Sequence, residues 1–400
     1  MDISNHFCVR PVGQGLFYTG CLPTMCSQRR FFNFVYDCGS TRKKGIEPVI
    51  DGYIKNELKC DILDMIVISH FDADHVNGLP YLLGGNQGVR AERVYIPYYD
   101  VEDYLLAVIW IEVFHLEHRI NSVIFVTMQD NEDFKELQRS DLGKGKYKPR
   151  EDKYSIESRV MFHLISHDTE VTLEEYCWRF KFYNRTIEND RKLTIKEKID
   201  RLLSKYQCKD LSDLLAKKEV RQELKNIYIE NTKVSRKETP ADSINNSSLC
   251  MYHGPLKKMR INIDALCSFY PHKQEKSWMD RNSFCWHLEL PAGTLLTGDI
   301  SLAGDNCMKD FVAHYHEELD LVGIFFVPHH GSGFSWNEQI LEVFSKVLFI
   351  CSYGLTNRYH HPSFQVIAAL GEAQKQVFFS TERHMIEYDF FINFKKSHGL

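Results

Sequence analysis

Nowhere in this chain do two cysteines take the CxxC spacing of a metal ribbon or a redox motif; its twelve cysteines are scattered without a period. The first residues, MDISNHFCVRPVGQG, lack a basic start followed by an apolar stretch. The cysteines are therefore expected to be reduced, many of them core fillers, in a cytoplasmic protein. Long apolar runs are missing too. The longest, Leu105 to Phe114, is short and carries Glu112, so a membrane span is not expected. There is no internal repeat and no low-complexity tract. Nor is there an excess of positive charge: 49 Lys and Arg stand against 54 Asp and Glu, a formal charge of −5. That balance argues against a protein that coats nucleic acid indiscriminately, while leaving room for a local basic groove. What is present, 44% hydrophobic and 26% charged residues, is the composition of a soluble globular protein. Its 400 residues exceed a usual single domain, though one α/β domain with insertions can reach that length.

Short apolar runs alternate with turns and amphipathic stretches. Phe31–Tyr36 is rich in β-formers and ends in the turn signature Asp37-Cys38-Gly39-Ser40. A helix is expected around Ile46–Leu58, a buried strand at Ile62–Ile68 and another at Val94–Pro97. A helix over Asp100–Arg119 and a strand at Ser122–Thr127 follow. Strand, helix, strand in this rhythm predicts a layered α/β fold. Between 187 and 240 the texture changes. Ile195, Ile199, Leu202, Leu203, Leu211, Leu214 and Leu215 recur at helical spacing among fourteen basic and ten acidic residues. This segment reads as a charged helical insertion: a solvated one, a basic cap guiding an anionic substrate, or a docking surface for a partner protein. It divides the chain into a first half, 1–186, the insertion, 187–240, and a second half, 241–400. In the second half strands are expected at Phe284–Leu290, Thr294–Ile300, Leu321–Val327, Val347–Ser352 and Val377–Ser380.

The densest chemistry is in SHFDADHVNGLP, residues 69–80, directly behind the apolar run Met65–Ile68. Charged residues seldom crowd the end of a buried strand unless something balances them. In an extended segment residues two apart project to one side, so His70, Asp72 and Asp74 can converge, and a turn sends His75 elsewhere. One loop can thus offer ligands to two cations about 3.5–4 Å apart, the spacing of two-metal sites. Imidazole and carboxylate suit zinc, manganese or iron, and the carboxylate share favours harder ions. The competing reading has Asp74 capping a helix that begins near Val76 and His70 as a satisfied core histidine. Further ligands are available downstream. Leu295–Asp299 reads as a strand, a glycine for close approach and an acid at its carboxyl end, where α/β folds place their sites. Pro328–Ser332, PHHGS, brings His329 and His330 to the end of the next strand.

With these motifs in order, the chain resembles the metallo-β-lactamase superfamily of binuclear metal hydrolases. Within it, the resemblance is to the branch typified by the nuclease-like domain of the competence DNA-uptake protein ComEC; bacterial choline-phosphate esterases share some of its signatures. That branch carries VGQG, here Val12-Gly13-Gln14-Gly15, and D-x-G, here Asp37-Cys38-Gly39. It carries SHxDxDH, here Ser69–His75, and an N-x-S-L stretch, here Asn246–Leu249. LLTGD at Leu295–Asp299 and PHHGS at Pro328–Ser332 come next. Last is a pattern matched by Ser352, Gly354, Asn357, Tyr359 and His361-Pro362. The motifs run from residue 12 to 362. The membrane helices of the uptake channel have no counterpart, so the expectation is a free-standing hydrolase.

The resemblance implies a four-layer αβ/βα sandwich with two divalent metal ions, zinc or manganese, at one edge. It implies His70, Asp72 and Asp299 at a first metal, and Asp74, His75, Asp299 and His330 at a second. His330 is preferred to His329 because the family's ligand directly precedes the glycine. Asp74 would orient the attacking water or take its proton. His329 would face the phosphoryl oxygens, and His361 would protonate the leaving group. Two departures stand out: Asp72 replaces the family's second histidine, and no third-motif histidine appears near 245–249. An oxygen-rich first site favours manganese or a loosely held ion over tight zinc. The expected activity is hydrolysis of phosphodiesters, nucleic acid first. Small phosphoesters or cyclic nucleotides, and a non-catalytic metal-binding regulatory subunit, are the alternatives.

Overall fold

The computed structural model describes all residues except 1, 25–29, 59, 86–87, 140–145, 186–189, 234–247, 257–262, 274–285 and 395–400. Two sheets lie face to face. The larger has eleven strands among the described residues, ordered Trp286–Glu289, Ile263–Lys273, His384–Phe394, Asp2–Val9, Phe17–Pro23, Phe31–Cys38, Met65–Val67, Arg90–Pro97, Ile120–Thr127 and Met161–Ser166, with Ile62–Leu63 beside Arg90–Pro97. The smaller runs Val377–Ser380, Leu348–Ser352, Val322–Phe326, Gly293–Leu296, Cys250–Pro255, Trp178–Tyr183 and Val171–Leu173.

Three apolar cores separate the layers. Phe7, Tyr18, Phe34 and Val67 of the first sheet meet Trp178, Phe180, Met251 and Phe326 of the second between the sheets. On the outer face of the first sheet, Ile66, Val94 and Phe125 pack against helices Lys43–Asn56, Val101–Val113, Asp190–Lys205 and Arg221–Asn231. On the outer face of the second, Leu295, Phe325 and Phe349 pack against helices Asp305–His314, Gln339–Val343 and Phe364–Glu372. Helix, sheet, sheet, helix is the four-layer αβ/βα arrangement expected. The sheets do not follow the chain halves, however. The N-terminal strand pairs antiparallel with the C-terminal one, Asp2 opposite Asn393, and residues 171–183 already belong to the second sheet.

Several expected elements differ in extent for local reasons. The strand expected over Ile62–Ile68 is broken at Asp64, whose carboxylate accepts the Asn33 N–H (2.8 Å) in place of a ladder bond. The helix expected over Asp100–Arg119 is shorter, Val101–Val113. It starts in a capping box between Asp100 and Asp103 and is followed by His115 at φ 55. Its residues Glu102 to Ile111 are all buried, which explains the apolar run. The helices at 190–205 and 221–231 cover it, through Ile195, Ile199, Leu224 and Ile227 in the same core. Of the segment 187–240, residues 187–189 and 234–240 lie outside the described residues, as do Asn246 and Ser247 of the N-x-S-L stretch. The strand expected at Thr294–Ile300 ends at Leu296, which leaves Asp299 on the loop beyond it. No helix among the described residues is long and apolar enough to cross a membrane.

Candidate metal centre

The strands Phe31–Cys38, Met65–Val67, Gly293–Leu296, Val322–Phe326 and Leu348–Ser352 each deliver a loop to one edge of the sandwich. After Met65–Val67 the chain stays extended to Asp72 (φ −67, ψ 145). It then enters a single helical turn, Ala73–Val76, whose first N–H donates to the Thr232 carbonyl (2.8 Å). Asp72, not the Asp74 of the competing reading, stands at the N-cap position, without a side-chain capping bond to the turn. Asp74 and His75 lie within the turn, both buried.

Five of the expected ligands come together. Asp299 is the hub, with His75 Nε2 3.3 Å and His330 Nε2 3.6 Å from its Oδ1, and His70 Nε2 3.8 Å from its Oδ2. His330 Nε2 also lies 4.0 Å from Asp74 Oδ2. His70, His75 and Asp299 form one group of converging ligand atoms, and Asp74, His75 and His330 another. Atoms bound tetrahedrally at about 2 Å from one ion are about 3.3 Å from each other. These separations, 3.3 to 4.0 Å, are close to those of co-ligands. Asp72 joins neither group; it is buried, and its carbonyl accepts the His75 and Val76 N–H groups. His329 was expected outside the ligand set, yet its Nε2 is 3.5 Å from Asp299 Oδ2. His361 is buried, its ring 5.4 Å from that of His329 and 6.3 Å from that of His330.

The histidines are oriented from behind. His75 Nδ1 donates to Asp37 Oδ2 (2.8 Å), His330 Nδ1 to the Ser352 carbonyl (2.8 Å), and His70 Nδ1 to Ser69 Oγ (2.9 Å). Ser69 in turn donates its hydroxyl to Asp37 Oδ2 (2.7 Å) and its backbone N–H to Oδ1 (2.7 Å). This network assigns the proton to Nδ1 in all three rings and turns each Nε2 lone pair inward. Those three Nε2 atoms and Asp74 Oδ1 are buried without a hydrogen-bond partner. Orphaned acceptors clustered about a carboxylate fit a cation. Where the third-motif histidine was looked for, Ser248 lies against His70, its Oγ 3.2 Å from Nδ1 and accepting the Asp299 N–H (3.1 Å).

Burial pushes the His70 pKa well down and that of His330 down to about 4, so both rings are neutral at pH 7. His75 is fully buried as well, but Asp299 and Asp37 on its two sides outweigh desolvation and push it well up. Desolvation alone would raise Asp299; the facing His75, His329 and His330 reverse that and hold it well below the carboxylate range. A cation held in this cluster would take the place of the proton on His75.

Glycines allow the loops to meet. A Cβ on Gly15 would lie 2.4 Å from the Asp74 carbonyl oxygen, and one on Gly39 2.3 Å from it. That is the physical content of VGQG and DCG. His329 (φ 48) and His330 (φ 54) both adopt left-handed backbone, a cost of the kind found at functional sites. Asn357 ties the last motif, accepting from the His361 N–H (2.9 Å) and donating to its carbonyl (2.7 Å). Asp37, Ser69, Ser248 and Ser352 had no assigned role; for Asp37 the signal was an acid in a turn at the end of a buried strand.

No family model matches the chain. A stretch of 111 residues is 27% identical to ComE operon protein 3 of Bacillus subtilis (strain 168), which covers 28% of this chain and 13% of that protein. Among solved structures, the metallo-beta-lactamase fold protein YhfI from Bacillus subtilis aligns with 96% of this chain and 99% of its own, at 10% identity and a TM-score of 0.38. A long form RNase Z from yeast aligns with 87% of this chain and 36% of its own, at 10% identity and a TM-score of 0.35.

Proposed function

We propose that this chain is a metal-dependent hydrolase of phosphodiesters of the metallo-β-lactamase superfamily, a nuclease in the ComEC-like branch. One observation carries the reading. Three buried imidazoles, each held through Nδ1, turn their Nε2 atoms onto the Asp299 carboxylate beside the orphaned Asp74 Oδ1. The ordered motifs from Val12 to Pro362 and the matched stretch of ComE operon protein 3 support it.

His70 and Asp299 Oδ2 would hold one divalent ion, with Asp72 or His329 beside them. Asp74, His75, His330 and Asp299 Oδ1 would hold the other. Such ions acidify water toward neutral pH and offset charge on phosphoryl oxygens. The chain's own groups do the rest. Asp74 orients the water and accepts its proton through the oxygen left free. His329, held by Ser335 Oγ at 3.0 Å, faces the phosphoryl oxygens, and His361 gives a proton to the departing alkoxide.

The test is a screen of the purified chain, stripped and then supplied with manganese or zinc. Substrates are single- and double-stranded DNA, RNA, cyclic nucleotides and a bis-aryl phosphate ester. Metal-dependent cleavage of nucleic acid, lost in Asp74→Asn and Asp299→Ala, is expected. Cleavage of none of these substrates, with Asp299→Ala leaving the metal content unchanged, would remove the proposal.

A further inference from the structure

A second histidine–aspartate cluster lies on the same edge of the sandwich. His167 and Asp168 follow the strand Met161–Ser166, which is parallel to its neighbours and third along from Met65–Val67. At about 4.8 Å per strand, that is about 15 Å from the first metal loop. His314 ends the helix Asp305–His314, which belongs to the outer layer of the other sheet. The cluster therefore joins parts of the chain from both sheets.

Its geometry repeats the logic of the main centre with different residues. His314 donates Nε2–H to the Phe182 carbonyl at 2.7 Å, which leaves the Nδ1 lone pair directed at Asp168 Oδ1, 3.4 Å away. His167 Nδ1 lies 3.2 Å from the Asn184 carbonyl, its shorter contact there, since the Asn184 N–H is 3.4 Å away. With the proton on Nδ1, His167 Nε2 faces Asp168 Oδ2 at 3.6 Å. The two rings are 4.6 Å apart. Both orienting carbonyls are fixed: Phe182 lies in the strand Trp178–Tyr183, and the Asn184 amide donates to the carbonyls of Val126 (2.7 Å) and Tyr98 (3.1 Å).

A carboxylate facing two imidazole lone pairs at 3.4 and 3.6 Å presents three donor atoms to one point, with Ser166 Oγ 3.5 Å from Asp168 Oδ2. Those separations match co-ligands of one tetrahedral ion. Burial lowers the pKa of both histidines, His314 to about 4, with Lys181 adding to the effect and Asp168 opposing it. A cation therefore meets neutral rings at pH 7. The Asp168 side chain is 44% exposed, which gives an ion an entry path and a water position.

We propose that His167 Nε2, Asp168 and His314 Nδ1 form a second cation site for a single zinc-class divalent ion, separate from the hydrolytic centre. Two imidazoles and one carboxylate suit zinc better than magnesium or calcium. The ion would pin the helix Asp305–His314 of one outer layer to the edge of the opposite sheet. It bonds to no group of the main cluster, so the proposal stands whether or not that cluster hydrolyses anything.

The experiment uses the full chain, stripped with a chelator and titrated with zinc alone by calorimetry, with zinc content measured after gel filtration. Asp168→Asn keeps the shape of a half-exposed side chain and is expected to lower the zinc content of the wild-type chain by one ion. In an Asp299→Asn, His330→Asn background, one zinc per chain should remain, and adding His314→Asn should abolish it. Zinc should also raise the melting temperature of that background in a concentration-dependent way, and Asp168→Asn should remove the rise. Unchanged zinc content in Asp168→Asn overturns the proposal. So does a background with the wild-type circular dichroism spectrum that binds no zinc.

Discussion

A histidine can ligate a cation through Nε2 only if something holds the proton on Nδ1, and at His75 that something is Asp37. Asp37→Asn keeps the volume but can present an N–H to the ring, which favours the other tautomer. The expected loss is about 10–100-fold in metal affinity, read by titrating the stripped variant with manganese or zinc. Affinity within twofold of wild type would show that the tautomer is set elsewhere. His361 makes a separate case. As a proton donor its value depends on the leaving group, so His361→Gln should slow cleavage of nucleic acid by about 10²–10⁴. The same variant should barely affect a bis-aryl phosphate, whose leaving group departs without protonation. Equal losses on both substrates would instead make His361 a structural residue of the 354–362 turn. At this scale the converging cluster was legible because His70, Asp74 and His75 crowd six positions and Asp299 and His330 lie in LLTGD and PHHGS. The orienting roles of Asp37, Ser69, Ser248 and Ser352 were not, because a hydrogen bond across 22 to 178 residues leaves no local trace. Asp72, which alternation put on the ligand side, joins neither converging group and stands at the N-cap position of the turn without a side-chain capping bond to it.

The helix Val101–Val113 is apolar on every side, so it needs cover on two faces. The sheet supplies one and the helices Asp190–Lys205 and Arg221–Asn231 the other. Several of the basic residues that suggested a substrate cap are engaged locally: Lys198 with Glu230 (2.6 Å), Lys205 with Glu223 (3.0 Å) and Lys196 with Glu151 (2.6 Å). Ile199, fully buried in that layer, should therefore matter more than its charged neighbours. Ile199→Ala is expected to cost about 2–5 kcal/mol in urea unfolding, whereas Lys198→Ala should stay within about 1 kcal/mol of wild type. Gly39→Ala tests a different element, the turn after Phe31–Cys38. Its new methyl meets the Asp74 backbone at 2.3 Å, so the metal loop has to move. About 1–3 kcal/mol of destabilisation and a weaker metal site are expected together; loss of stability with unchanged metal affinity would show the loop to be indifferent to that turn. The helical periodicity of 195–215 was legible in sequence, but its partner was not. The same holds for the unassigned strands at 178–183 and 250–255, buried at nearly every position and so without alternation to read.

On the scale of the whole molecule, the seam between the sheets contains a titratable group that water does not reach. His253 is fully buried, 2.8 Å from the Tyr18 hydroxyl through Nε2 and accepting from Trp178 Nε1 at 3.3 Å through Nδ1. Burial alone lowers its pKa to about 3. The unfolded chain then binds the proton first, from about pH 6.5 downward, so between pH 6.5 and 3 the unfolded state gains free energy that the folded state cannot match. The stabilising difference is present above pH 6.5 and declines with acid, to a total of about 5 kcal/mol at one proton and 1.36 kcal/mol per pH unit. His6 works in the opposite direction. Burial opposes its charge, but hydrogen bonds to Asp389 and Glu57 outweigh it and raise the pKa to about 9. It joins the strands Asp2–Val9 and His384–Phe394, which close the chain's two ends together. Its contribution is complete below pH 6.5 and disappears as pH passes 9. Stability of the chelated chain should therefore peak near pH 6.5, falling toward pH 3 as His253 is left behind by the unfolded state and toward pH 9 as the His6 contribution is lost. His253→Gln should flatten the acid limb of the urea midpoint against pH, and His6→Gln the alkaline limb. A His253→Gln variant that keeps the full acid slope would place the acid sensitivity in other buried groups, with His314 next in line.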